Sequence, residues 1–166
     1  MEVNFLVIAL SALIPLVVGF IWYSPKVFGT AWMNATGMTP ESAKGMNMAV
    51  VFGLTYLMAF FVAFLLQPMV IHQYGVMSLL VEEPGFNDPT SEIGMFFSGF
   101  MEKYGNNFRT FKHGALHGTI AGLLFVTPIM TVNALFERKG FKYIAINGGF
   151  WTVCLALMGG VICGIV

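Results

Sequence analysis

From Gly114 to Phe136 the chain reads GALHGTIAGLLFVTPIMTVNALF, with no Asp, Glu, Lys or Arg. At about 1.5 Å of rise per residue, a helix of this length crosses the roughly 30 Å hydrocarbon core of a bilayer. The apolar residues run all round instead of alternating with polar ones, so a barrel strand does not fit. A buried helix of a water-soluble domain is the competing reading. Three more such runs, Val3–Tyr23, Met46–Ile71 and Tyr143–Val166, leave almost no chain to build a polar exterior for it.

Composition agrees. The chain has 166 residues, 57% hydrophobic and 10% charged, against roughly 45–50% and about 25% in average soluble domains. Mean hydropathy is +0.79. Eight Lys and Arg balance eight Asp and Glu. That excludes a soluble enzyme and a disordered tail, and it leaves no basic excess to neutralise the phosphates of a nucleic acid. The expected fold is an all-α membrane protein, a single domain over residues 1–166. Four transmembrane helices form two hairpins, at about 3–23, 46–71, 114–136 and 143–166, with an extramembrane insert at 73–112. Met1-Glu2-Val3-Asn4 has no basic n-region, so the first run reads as a retained helix ending in the interfacial pair Trp22-Tyr23.

Lys26 and Lys44 in the first connection, with Arg138, Lys139 and Lys142 in the third, outnumber Lys103, Arg109 and Lys112 in the second. The positive-inside rule then puts the first and third connections in the cytoplasm of a bacterial inner membrane, with both termini and the insert outside. Val27, Phe28, Ala31 and Trp32 share one helical face and suggest a short interfacial segment. Thr39-Pro40-Glu41 reads as a helix start, so the second helix is expected to begin near Pro40 and to enter the bilayer near Met46. In the insert, Ile93, Phe96, Phe97, Phe100, Met101 and Tyr104 recur at three- and four-residue steps, which predicts an amphipathic helix. The short third connection makes the third and fourth helices neighbours.

Small residues recur every four positions: Gly114, Gly118 and Gly122; Gly45, Ala49 and Gly53, then Ala59 and Ala63; Ala156, Gly160 and Gly164; and Ser11 and Gly19 about Pro15. Lipid supplies no hydrophobic drive between helices, so close backbone approach must hold them together. The same ladders suit homo-oligomer formation or packing on another membrane component. Pro15, Pro68 and Pro128 are expected to kink their helices. Cys154 and Cys163 lie nine residues apart on one helix and cannot pair within it.

Two polar groups stand out against this background. His113 and His117 are i, i+4, and His72 ends the second span on the same membrane side. Imidazoles so placed suit zinc, copper or haem iron, and an acid of the insert would complete the set. They equally suit an interfacial role, bonded to backbone or water. The second group is Asn133 and Glu137 with Asn147 at the opposite end. These residues fit an ion, proton or headgroup site. They also fit a clasp in which Asn133 meets Asn147 and Glu137 pairs with Arg138, Lys139 or Lys26. No nucleophile elbow, phosphate loop or zinc-protease motif occurs, so no catalytic residue, no enzyme activity and no bound cofactor is expected. The expected partners are membrane lipid and other membrane chains. The leading expectation is a structural or accessory component. A small transporter or channel with a cytoplasmic vestibule is the alternative, and metal or haem binding at the outer histidines is a second one.

Gly19-Phe20-Ile21-Trp22-Tyr23-Ser24-Pro25, then Phe28-Gly29, Ala31-Trp32-Met33 and Gly37-Met38-Thr39 before Glu41, resemble the start of a bacterial membrane family known as domain of unknown function 1761. Phe125-Val126-Thr127-Pro128, Val132-Asn133-Ala134-Leu135-Phe136-Glu137 and Ile146-Asn147-Gly148-Gly149-Phe150 resemble its third and fourth helices. The insert is longer and more acidic than such a family leads one to expect. The resemblance implies four membrane helices and brings no established activity. It also implies that Trp22, Tyr23, Pro25, Trp32, Asn133, Glu137 and Asn147 form a common site or scaffold at the cytoplasmic end.

Overall fold

The computed structural model describes residues 3–39, 41–42 and 44–165, and among these every regular element is helical. Met1 and Glu2, Pro40 at the expected start of the second helix, and Val166 at the expected end of the fourth span lie outside the described residues. Four stretches are long and apolar enough to cross a membrane: Phe5–Trp22, Met48–Val70, Phe111–Phe136 and Phe141–Ile165. The first comprises α1 (Phe5–Ser11) and α2 (Ile14–Trp22), and α3 (Gly29–Thr36) follows. The second is α4 (Met48–Val70), followed by α5 (Gln73–Leu80) and α6 (Glu92–Tyr104) of the insert. The third is α7 (Phe111–Ala121), a π-helical turn (Gly122–Val126) and α8 (Thr127–Phe136); the last is α9 (Phe141–Ile165).

Two of the proline positions explain interruptions. Pro15 has no N–H to give to the Ser11 carbonyl, and the first span breaks just ahead of it at Ala12 and Leu13. Pro128 likewise withholds a donor at the start of α8, where the helix widens into the π turn. The Thr127 hydroxyl donates to the Gly122 carbonyl at 2.7 Å across that turn.

α9 is the central helix, packed against α1, α2, α3, α4, α7 and α8. Half of its most apolar window is buried, against 17% for α4 and for the third span. Its Phe150, Cys154, Leu155, Met158 and Ile162 make up the core with Ile8, Leu66 and Val70 from the other spans. Outward-facing side chains are also large and apolar: Phe20, Leu124 and Phe136 are 86%, 74% and 87% exposed. A surface of that kind suits hydrocarbon and not water.

Glycine decides how closely the third span meets α9. A Cβ on Gly114 would lie 2.5 Å from the Cys163 Cβ; one on Gly118 would lie 2.5 Å from the Leu155 carbonyl carbon; one on Gly122 would lie 2.5 Å from the Thr152 Cα. As the number rises on one helix it falls on the other, so the two run in opposite senses with their backbones touching.

Several expectations need correction. α4 starts at Met48 and not near Pro40, because Asn47 caps it, its side chain accepting from the Val50 N–H at 3.3 Å. Thr39 and Ser42 instead bond to each other in a turn, and Gly45 takes a left-handed φ of 92°. The ladder Gly45, Ala49, Gly53 is exposed, and a Cβ on Gly45 or Gly53 would meet nothing within 4 Å; the small residues of α4 that pack are Ala59 and Ala63, both fully buried. α5 adds a helix at Gln73–Leu80, where the apolar pattern predicts none.

The insert is tied down at its turns. Asp88 accepts from the Thr90 N–H and hydroxyl at 2.8 and 2.7 Å, which holds its carboxyl below the usual aspartate range. Ser91 caps α6 through the Gly94 N–H at 3.0 Å.

Candidate metal centre

The three histidines separated in sequence meet at one end of the bundle. Thr110 caps α7, its hydroxyl accepting the His113 N–H at 3.2 Å, which puts His113 in the first turn. His117 follows one turn later on the same face. On the other arm, α4 ends where Ile71 turns extended, and His72 stands directly before α5. The ring centroids of His72 lie 4.9 Å from those of both His113 and His117, which are 4.5 Å from each other. One ligand nitrogen from each ring lies within 4.8 Å of the other two, and among the described residues these three make up the group able to hold a metal ion.

Tetrahedral zinc with nitrogen ligands at 2.0–2.1 Å needs those nitrogens about 3.3 Å apart. The Nε2 atoms of His72 and His113 are 2.9 Å apart, a separation that requires a hydrogen between two ring nitrogens. Moving that hydrogen to the other ring nitrogen of its imidazole frees both lone pairs for an ion. His113 and His117 are half-buried and His72 is exposed, so an ion has a way in.

The surroundings hold the arms in place. Phe108 packs against His113 at 5.1 Å between centroids and takes a φ of 62°, a costly conformation for an aromatic residue. Its carbonyl accepts the Thr110 N–H at 2.9 Å and the Cys163 thiol at 3.3 Å. The same thiol lies 3.3 Å from the Val70 carbonyl, two residues before His72. Gln73 is buried beside His72 and donates to the carbonyls of Tyr104 and Asn107, both at 2.9 Å. Sequence reasoning missed Phe108, Gln73 and Cys163. The one signal in the sequence was a polar glutamine directly after His72.

The second group of expected residues comes together only in part. At the opposite end the Tyr23 hydroxyl donates to Asn147 Oδ1 at 2.8 Å, Asn147 Nδ2 donates to the Tyr143 carbonyl at 2.9 Å, and the Trp22 indole donates to the Ile146 carbonyl at 3.1 Å. Trp32 of α3 meets the Tyr23 ring edge-on at 5.4 Å. Pro25 is exposed, its carbonyl accepting weakly from Thr30 at 3.4 Å. Gly29 permits this turn, since any Cβ there would strike the Tyr23 carbonyl. Asn133 on α8 and Glu137 just past its end are exposed and take no part. The expected Asn133–Asn147 clasp is therefore replaced by Tyr23–Asn147, and Lys139, one expected partner of Glu137, donates to the Thr36 carbonyl at 3.0 Å instead. Asn147 thus spends one oxygen lone pair and one amide hydrogen on two tyrosines.

This division has a measurable consequence. Asn147→Leu strands the Tyr23 hydroxyl and is expected to cost about 1–3 kcal/mol. Asn133→Leu, at an exposed apolar-facing position, is expected to stay within about 0.5 kcal/mol. Thermal unfolding in detergent compares them, and equal losses would refute the assignment.

A family model described as Protein of unknown function (DUF1761) matches residues 6–163. No curated protein and no solved structure matches the chain.

Proposed function

The chain belongs to the family described as Protein of unknown function (DUF1761), and we propose that it is a four-span membrane protein that holds a divalent transition-metal ion at the histidine end of its bundle. The observation that carries this is the convergence of His72, His113 and His117, with one nitrogen of each within 4.8 Å of the others. Imidazole is the commonest metal ligand and suits zinc, copper and nickel. Nothing else in the bundle needs three mutually close histidines: the helices are already held by Gly114, Gly118 and Gly122 against α9. The role is binding, with no catalysis of its own.

The helices form two hairpins, and the histidine end faces away from the cytoplasm of the inner membrane. The lysine and arginine bias toward the opposite connections supports this. α6 lies on the bilayer surface as an amphipathic helix, supported by Met95 and Phe96, which are 57% and 59% exposed beside the charged Glu92 and Glu102. Self-association, or packing on a second membrane protein as an accessory subunit, is supported by the exposed small residues Ala49 and Gly53 of α4.

The test uses protein purified in detergent, stripped with a chelator, loaded with Zn²⁺ or Cu²⁺ and desalted. About one ion per chain is expected by elemental mass spectrometry, and none in His113→Ala/His117→Ala. Equal metal in both proteins, with both eluting as folded species, would sink the proposal. Native mass spectrometry of the same samples reports subunit number.

A further inference from the structure

The three ligands stand on the two strands of chain that enter and leave the insert. His72 lies one residue before α5, and His113 lies in the first turn of α7, after α6. The chain between them holds both insert helices. Entry and exit are otherwise joined by neutral hydrogen bonds: Gln73 to the Tyr104 and Asn107 carbonyls, and the Cys163 thiol lying against the Val70 and Phe108 carbonyls. A thiol has one hydrogen to share between those two acceptors, and sulfur donors are weak. A metal ion bound by imidazoles from both arms is a far stronger link. Closing a long loop at its base also removes much of the freedom it gains on opening.

We infer that a divalent metal ion at His72, His113 and His117 fastens the base of the insert, so that occupancy sets how often α5 and α6 detach from the end of the bundle. The inference rests on the metal-binding reading above. Without the ion, the 2.9 Å contact between His72 and His113 is a single hydrogen bond between two neutral rings, and thermal motion opens it. With the ion in place, His72 cannot leave without breaking a coordinate bond, and Gln73 and Tyr74 are held with it. Tyr74 then keeps its hydroxyl at 2.7 Å from the Gln67 side chain. The consequence reaches the membrane surface, because α6 carries exposed Met95 and Phe96 and moves with the insert.

Hydrogen–deuterium exchange of the full chain in lipid nanodiscs tests this, comparing chelator-stripped protein with protein saturated in Zn²⁺. Amides of residues 73–110 are expected to slow by about tenfold or more on metal binding, while those of α8 stay unchanged. His72→Ala keeps His113 and His117 and is expected to lose the slowing at the same Zn²⁺ concentration. If about one Zn²⁺ binds and the 73–110 amides do not slow, the clasp is wrong and the metal site stands. Slowing of equal size in His72→Ala also overturns the clasp. If no Zn²⁺ binds to the wild-type chain, both readings fall together.

Discussion

Gly118→Leu is expected to prevent the bundle from assembling, at a cost of about 4 kcal/mol or more, whereas Leu123→Ala five residues away is expected to stay within about 0.5 kcal/mol. Size alone would predict the opposite order, since leucine is the larger group to lose. The reason is where each side chain points. A Cβ on Gly118 would press on the Leu155 carbonyl and lie 2.5 Å from its carbon and 2.9 Å from the Ala156 Cα. Those are backbone atoms in the middle of α9 and have no rotamer to turn away with. Ordinary overpacking costs about 1–3 kcal/mol because neighbouring side chains give; here α7 and α9 must separate along their length. In lipid no hydrophobic term compensates for the lost contact. Leu123 is 52% exposed on the outer side of the π turn and loses little but lipid contact. Retention of fold is read by monodispersity and by thermal unfolding in detergent. A stable Gly118→Leu protein beside a destabilised Leu123→Ala would reverse the packing account.

The sequence exposed this ladder because glycine at every fourth position has one strong physical use in a membrane helix. It exposed the four apolar stretches for a similar reason, since length and absence of charge are local properties. What it hid depends on partners. Gly45, Ala49 and Gly53 repeat at the same spacing as Gly114, Gly118 and Gly122, yet only the second set meets α9. Spacing does not distinguish them, although Gly45 lies in the turn before α4. The start of α4 was misplaced because Thr39 and Asn47 are both good caps and the chain uses the later one. At the polar ends, i, i+4 spacing correctly put His113 beside His117, and shared depth correctly suggested His72. Depth alone failed for Asn133, which lies on the exposed face of α8 while Asn147 bonds to Tyr23 across the bundle. The buried Cys163, read from spacing only as unable to pair with Cys154, proves to touch both histidine-bearing arms.

His117→Ala is expected to weaken Zn²⁺ binding by roughly a hundredfold or more, and acid is expected to do the same to the unaltered protein. A four-ligand zinc site is worth about 10–16 kcal/mol at neutral pH, so each ligand carries about 3 kcal/mol, or roughly two decades of affinity. Here the loss falls at the upper end, because a three-ligand site reduced to two keeps only His72 and His113, whose nitrogens sit 2.9 Å apart and bond to each other instead. Only neutral imidazole binds metal, so protons compete for the same lone pairs. Acid therefore weakens metal binding. A hydrogen-bonded interfacial cluster with no ion would behave differently: His117→Ala would leave metal content unchanged, and acid would act only on stability. Competition against a chromophoric chelator at pH 8 and pH 5.5, for both proteins, separates the two cases. An affinity that is flat with pH, or equal in the two proteins, places any bound ion somewhere other than these three rings.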